Sequence, residues 1–230
     1  MANLLIIDTS SSICSVVLDR DGEHSARRID GVRTHGQFLL TLIRELTTEQ
    51  ELKLTDLSAL AVISGPGSFT GIRIGIGVVQ GLATALDLPV VLLSSLEWLA
   101  WTARQRFDVN GVVVCNRARD GEYYFASYRF ESDSTVKCGG ETLGDGSLVS
   151  GSHAWQYPGD WVAVGDGWED ADNFDEELLN GFRFVDCRLE GDIGTLCQMA
   201  RTKLESGNTV PAGQAMPSYL KETMNYRTSG

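Results

Sequence analysis

Residues 65–77 read Gly65-Pro66-Gly67-Ser68-Phe69-Thr70-Gly71-Ile72-Arg73-Ile74-Gly75-Ile76-Gly77. They follow a wholly apolar run, residues 59–63, and lead into a helical pattern that lasts to about Leu86. The segment therefore joins a buried-type strand to a helix. Glycines at such a junction let the backbone approach a ligand, and a helix N-terminus offers N–H groups to an anion. The stretch can cradle a phosphate; equally, it can be a tight strand-to-helix connection that holds no ligand. No Gly-Lys-Ser/Thr follows, so it is not a Walker A loop, and it is not a G-x-G-x-x-G opening straight after the first strand. Gly71, Gly75, Gly77 and Gly81 fall inside the helix, where each costs about 0.5–1 kcal/mol relative to Ala. Gly71/Gly75 and Gly77/Gly81 are each four apart, so each pair lies on one face. One smooth face suits packing inside the monomer and another suits a helix from a second chain; the two readings are compatible.

Upstream, residues 4–8 form a short apolar run ending in Asp8, residues 14–18 follow a Ser-rich turn, and Asp21-Gly22 signals a hairpin into a third strand near residues 25–29. The period then changes. Thr34 with Gln37 is a capping-box pattern, and Phe38, Leu39, Leu42, Ile43 and Leu46 recur at helical spacing. Downstream, Pro89 stops the glycine-bearing helix, residues 90–93 are a strand, and Ser94 with Glu97 opens a further helix carrying Leu96, Leu99, Ala100 and Ala103 on one face. The first hundred residues thus read β-β-β-α-β-α-β-α. Beyond them, residues 112–115, 122–130, 161–164 and 182–185 read as strands, and residues 192–205 as an amphipathic helix with Ile193, Leu196, Cys197, Ala200 and Leu204 on one face.

The 230 residues carry 19 Lys+Arg against 31 Asp+Glu, a net charge of −12, and 43% are hydrophobic. That is enough apolar material for a sizeable core, while so acidic a chain is a poor lone binder of nucleic acid. The acidity is concentrated: residues 131–192 hold 15 acids and 3 bases, which reads as a solvated surface. We expect a well-packed N-terminal domain over residues 1–108 and a looser second one over residues 109–230. No apolar run approaches the roughly 20 residues of a bilayer span, and the start lacks the basic and cleavage regions of a signal peptide. Five widely spaced cysteines with no C-x-x-C point to reduced thiols, and so to a cytoplasmic protein.

Nucleophilic and metal chemistry find little support. There is no G-x-S-x-G elbow, and Ser68 and Ser94 have no histidine nearby in sequence. His35, in the first turn of a helix, reads as a surface or packing residue, and Cys115, ending an apolar strand, as buried. Asp8 ends the first strand, where an acid can hold a metal or water, but His24, His35 and His153 are scattered. We assign no catalytic and no metal-ligating residue.

The order of elements, with Ile6-Ile7-Asp8-Thr9-Ser10 at the start and residues 65–75 after the fourth strand, resembles the TsaB (YeaZ) family. Leu88-Pro89-Val90 with Ser94-Ser95-Leu96, Arg117-Ala118-Arg119 before Gly121-Glu122-Tyr123-Tyr124, and Pro217-Ser218-Tyr219-Leu220 add to the likeness, which is weakest through the acidic middle. The resemblance implies an α/β, actin-like ATPase fold: two ribonuclease-H-like lobes with mixed sheets flanked by helices, the second lobe reduced and the last helix packing back on the first. It implies a part in making threonylcarbamoyladenosine at position 37 of tRNAs that read codons starting with A. In that family TsaD transfers the threonylcarbamoyl group from an adenylate that TsaC makes from threonine, bicarbonate and ATP, and TsaE is a P-loop ATPase. TsaB is a non-catalytic scaffold that pairs with TsaD through N-terminal-lobe helices and self-associates when free. No intrinsic cofactor is implied; ATP and metal belong to the partner subunits, and tRNA is held mainly by them.

Carried onto this sequence, the resemblance gives a vestigial nucleotide loop at Gly65, Pro66, Gly67, Ser68, Thr70 and Gly71, and a partner or dimer interface at His35, Phe38, Leu39, Leu42, Arg73, Gly75, Ile76 and Val79. Ser95 and Leu99 stand where the metal-binding paralogue has two histidines, and neither can replace an imidazole ligand. The turn Asp8-Thr9-Ser10-Ser11-Ser12 lacks the glycine at which sugar kinases let phosphates approach. The competing expectations are an active actin-fold small-molecule kinase or ATPase and, with no nucleophile–base pair behind it, a peptidase.

Overall fold

The structure, a computed structural model, describes residues 2–31, 35–119, 121–131, 134–138, 140–151 and 160–220. Its chain divides into two compact units, residues 1–98 with 191–219, and residues 99–190 with the last residues of the chain. The division falls inside a helix rather than after residue 108, and residues 191–219 group with the first unit.

In the first unit β1 (Asn3–Asp8), β2 (Ile13–Arg20) and β3 (Glu23–Asp30) form an antiparallel meander, and β4 (Ala59–Gly65) and β5 (Val90–Ser94) add in parallel beside β1. The sheet order is β3-β2-β1-β4-β5. β1 and β4 are buried on both faces, which is why they read as unbroken apolar runs instead of alternating. Leu5, Ile7, Val16, Leu18, Leu60 and Val62 face one side, where α1 (His35–Glu49) and α2 (Phe69–Leu86) cover them. β3 is the outer strand. It presents exposed Glu23, His24, Arg27, Arg28 and Asp30, charges that discourage pairing with another strand. The strand and helix order expected for the first hundred residues is present throughout. Thr34 lies outside the described residues, so the first capping box does; at the second, the Glu97 N–H bonds Ser94 Oγ at 3.2 Å, but the Glu97 carboxylate reaches Lys203 at 2.8 Å instead of turning back.

α3 (Ser95–Phe107) follows β5, and the unit is completed from far along the chain. α6 (Ile193–Glu205), capped by Asp192 Oδ1 on the Thr195 N–H at 2.8 Å, lies on β1, β2 and β5. Its Arg201 pairs with Asp19, which is fully buried and also accepts the Gly22 N–H at 3.0 Å. Residues 210–219 then run back over the sheet edge and α2. Val210 exchanges backbone hydrogen bonds with Val90 at 2.8 and 2.9 Å, Gln80 Nε2 donates to the Ala215 carbonyl at 2.8 Å, and the Ser218 N–H donates to the Ser64 carbonyl at 2.8 Å.

The second unit repeats the pattern on a smaller scale. β6 (Gly111–Arg119), β7 (Glu122–Glu131), β8 (Ser134–Lys137), β10 (Trp161–Val164) and β11 (Val185–Asp186) are ordered β11-β10-β6-β7-β8, with β9 (Thr142–Asp145) also on β7. Besides the larger part of α3 (Ser95–Phe107), whose Trp101 and Phe107 pack against Phe130 and Phe184, this unit carries, among the described residues, only α4 (Gly146–Gly151), α5 (Glu176–Asn180) and short 3-10 turns. The strand expected over residues 182–185 is only Val185–Asp186; Phe182 sits in a turn and is buried, although the Phe184 carbonyl still accepts the Ala163 N–H at 3.1 Å. The expectation of a merely solvated acidic stretch is also corrected. Arg117 donates to Asp170 at 2.6 and 2.9 Å and to Glu169 at 2.8 Å, while Asp166 accepts the Arg117 N–H at 2.9 Å. The Arg117 guanidinium holds the Asp170 carboxyl below its usual range. Asp170 also accepts from Tyr123, whose hydroxyl receives Asn173 Nδ2 at 2.7 Å.

By length and composition α2 is apolar enough to cross a membrane, contrary to the expectation drawn from unbroken runs, because its interspersed glycines and threonines hide its average apolarity. Here it is a core helix, with Ile72, Ile76, Val79 and Ala83 buried on the sheet side.

All five cysteines are free thiols. Burial pushes Cys14 up to about 11 and Cys197 up to about 12, and Cys115 well above its ordinary value. At pH 8 we expect a thiol-specific chromogenic reagent to titrate no more than Cys138 and Cys187 in the native chain and all five thiols in denaturant. Replacing Arg201 by Met strands the buried Asp19 charge and should cost about 3 kcal/mol, read as a lowered urea midpoint.

Candidate functional site

The glycine-rich connection is built against the end of β1. The Ser68 N–H donates to the Ser10 carbonyl at 2.7 Å, and Ser68 caps α2 by accepting the Gly71 N–H on its Oγ at 3.2 Å. Thr9 Oγ1 donates to the Gly71 carbonyl at 2.8 Å. A Cβ at Gly67 would overlap the Ser10 carbonyl oxygen, one at Gly71 the Thr9 carbonyl oxygen, and one at Gly75 Thr9 Oγ1. On the other flank, a Cβ at Gly65 would come within 3.0 Å of the Ser218 carbonyl oxygen, and Ser95 Oγ donates to the Pro66 carbonyl at 2.6 Å. Gly65 and Gly67 have φ of +136° and +152°, so the connection also needs glycine for its backbone path. Thr70 alone of the loop residues singled out stands fully exposed.

The close approach that the glycines permit is therefore made by the chain's own backbone. The neighbours are carbonyl oxygens, which repel phosphate oxygens instead of binding them. Asp8, the acid that ends β1, is buried, and its Oδ1 accepts the N–H and the hydroxyl of Ser10 at 2.8 and 2.6 Å. Ser95 is hydrogen-bonded as above and Leu99 is buried, so neither position of the paralogue's histidine pair offers a ligand. Among the described residues, no three His, Cys, Asp or Glu side chains are grouped for a metal ion. In this unit the glycine-rich connection and the Asp8 carboxylate are both engaged by the chain's own groups.

The helix faces divide as the glycine spacing suggested, but the interface residues chosen from sequence fall mostly on the wrong side. Leu39, Leu42, Ile76 and Val79 are buried in the core of the unit, and Gly75 is pressed against Thr9. The reason is general: a hydrophobic stripe at helical spacing marks the inward face. Phe38 is half-buried, Arg73 is exposed, and the His35 side chain lies outside the described residues. The outward surface instead carries Gly36, Gln37 and Leu40 on α1, Leu40 being 61% exposed, and Phe69, Arg73, Gly77 and Gly81 on α2. A Cβ at Gly77 or Gly81 would meet nothing within 4 Å. Of these outward positions the sequence-based interface included only Arg73; the signal for the rest was the second glycine pair, which has no packing partner.

Two sheets with the same five-strand order, flanked by helices, define the actin-like class. A family model for TsaD, tRNA N6-adenosine threonylcarbamoyltransferase, matches residues 22–149. The tRNA threonylcarbamoyladenosine biosynthesis protein TsaB of Escherichia coli strain K12 is 34% identical over 230 residues, covering 97% of this chain and 96% of that relative. The protein of the same name from Haemophilus influenzae is 32% identical over 97% of this chain and 95% of its own length. The solved structure of YeaZ from Pseudomonas aeruginosa superposes with a TM-score of 0.84 at 33% identity, over 96% of this chain and all of that one. The chain belongs to the TsaB family of tRNA threonylcarbamoyladenosine biosynthesis proteins.

Two substitutions in one helix separate the two kinds of glycine. Gly71→Ala should destabilise the chain by about 3 kcal/mol, because backbone must move to admit the methyl. Gly77→Ala should stabilise it by about 0.5–1 kcal/mol, the helix-propensity gain with nothing to clash. Urea unfolding of the isolated chain reads both.

Proposed function

We propose that this chain serves threonylcarbamoyladenosine synthesis as a non-catalytic, cytoplasmic subunit that holds the TsaD transferase and TsaE in a working complex and self-associates when free. The observation that carries this reading is the division of labour on α2. Its inward glycines are packed against Thr9 and, through the loop, Ser10, while its outward glycines face solvent. The reading places ATP, metal and the transfer chemistry on the partners. With a net charge of −12, the chain leaves most of the tRNA phosphate contacts to them as well.

On this reading the outward face of α1 and α2, with Leu40, Gly77 and Gly81, receives a partner helix. Glycines there let two helix backbones come closer than side chains would permit, at the cost of helix propensity in the free chain. That cost is otherwise unexplained at Gly77 and Gly81, where an alanine would fit.

The test is an omission assay. Threonine, bicarbonate, ATP, unmodified tRNA, TsaC, TsaD and TsaE are combined with and without this chain, and threonylcarbamoyladenosine is quantified by mass spectrometry of digested tRNA. Product is expected only when the chain is present and to vanish when TsaD is left out. Equal product without the chain would overturn the subunit role, and product without TsaD would overturn the non-catalytic one. Gly77→Leu, with an unchanged circular dichroism spectrum, is expected to lower product at least tenfold.

A further inference from the structure

The outward stripe of α2 has two halves. Phe69, Arg73, Gly77 and Gly81 recur every four residues and are all exposed, so one element lying along them for about 18 Å would meet glycine at one end and something quite different at the other. At the Phe69 end, residues 210–219 bring a second ring alongside. Phe69 is 58% exposed, Tyr219 is 54% exposed, and Met216 in the same segment is 58% exposed. With Leu40 they make four of the five large apolar side chains left exposed among the described residues.

The cluster is ordered around a cation. The Arg73 guanidinium carbon lies 3.4 Å from the Phe69 ring centroid and 5.5 Å from that of Tyr219, and the two rings are 5.9 Å apart. Arg73 Nε donates to the Tyr219 hydroxyl at 2.8 Å. Its two terminal nitrogens meet no acceptor among the described residues. A guanidinium stacked on a ring and fixed through Nε keeps its outer fork of N–H groups for a planar anion, and a carboxylate fits that fork with two parallel hydrogen bonds. Phe, Tyr, Met and Arg are also the side chains enriched where proteins bind proteins. A nucleic-acid phosphate suits the fork equally well, but a chain of net charge −12 with a single free arginine at this spot is poorly made to attract one.

We propose that Phe69, Arg73, Met216 and Tyr219 form a docking site for a second protein chain, whose apolar segment covers the rings and whose Asp or Glu carboxylate pairs with Arg73. The inference rests on the complex-subunit reading above and deepens it: the segment 210–219 is contact surface together with the helices. Tyr219 acts as a positioning residue, its hydroxyl fixing the guanidinium that the partner's carboxylate meets.

The experiment titrates the TsaD transferase proposed as partner into wild-type chain, Phe69→Ala, Arg73→Lys, Tyr219→Ala, Tyr219→Phe and Gly77→Leu by calorimetry, with each variant's unfolding midpoint measured beside it. Phe69→Ala and Tyr219→Ala are expected to weaken binding at least tenfold. Arg73→Lys should weaken it several-fold, since an ammonium cannot reproduce the fork, and Tyr219→Phe should fall between wild type and Tyr219→Ala. Phe69 lies outside the segment, so its variant answers the question even if Tyr219→Ala loosens residues 210–219. Tight binding lost in Gly77→Leu but within twofold of wild type in Phe69→Ala and Tyr219→Ala would overturn this docking site and leave the subunit reading standing. No binding by wild type would overturn both. A loss of affinity for unmodified tRNA in Arg73→Lys, with transferase affinity unchanged, would show that the anion is phosphate and overturn the site as a protein contact.

Discussion

The first unit is organised by a contact between backbones with no side chain in between. The opening turns of α2 lie directly on Thr9 and Ser10, and the Ser68 N–H bonds the Ser10 carbonyl at 2.7 Å. That contact sets α2 down on β1 and β4 and fixes which of its faces is inward. It also draws the helix N-terminus to the edge where residues 218 and 219 cross. A methyl at Gly67 or Gly71 would force the two backbones apart, one at Gly75 would displace the Thr9 side chain, and the later contacts of α2 would shift with them.

The same contact explains two of the four glycines that α2 carries. At Gly71 and Gly75 the lost helix propensity is offset by dense packing against Thr9. At Gly77 and Gly81 nothing inside the monomer compensates. Natural sequences keep such locally unfavourable choices chiefly where function requires them, so the outward pair is the better pointer to a contact outside the chain.

Legibility from sequence followed the physics of each element. β1 and β4 could be read because strands buried on both faces are unbroken apolar runs, and α1, α2 and α6 because their inward stripes repeat at helical spacing. That stripe misled the choice of interface residues, since Leu39, Leu42, Ile76 and Val79 repeat so well because they are core. The loop was half legible: glycine announces close approach but not whether the neighbour is a ligand or the chain's own carbonyls. In the acidic stretch, β9 and α4 were hidden among Gly and Asp, although Asp145 is a helix cap, accepting the Leu148 N–H at 2.9 Å. Asp170 and Glu169 looked like solvated charge because their partner, Arg117, is some fifty residues away in sequence.

Residues 191–219 have an implication for how the protein is made. They supply α6, the counterion of the buried Asp19 and the backbone partner of β5, and yet they are synthesised after residues 99–190 of the second unit. On the ribosome, residues 1–98 emerge with the edge of β5 uncovered and Asp19 without its counterion, and must wait for more than a hundred further residues before Arg201 and Val210 satisfy them. At roughly 5–20 residues per second that is an interval of several seconds or more. The strands and helices of the second unit are all made by residue 190, before α6 and residues 210–219 are added to the first, so the unit that is begun first is finished last.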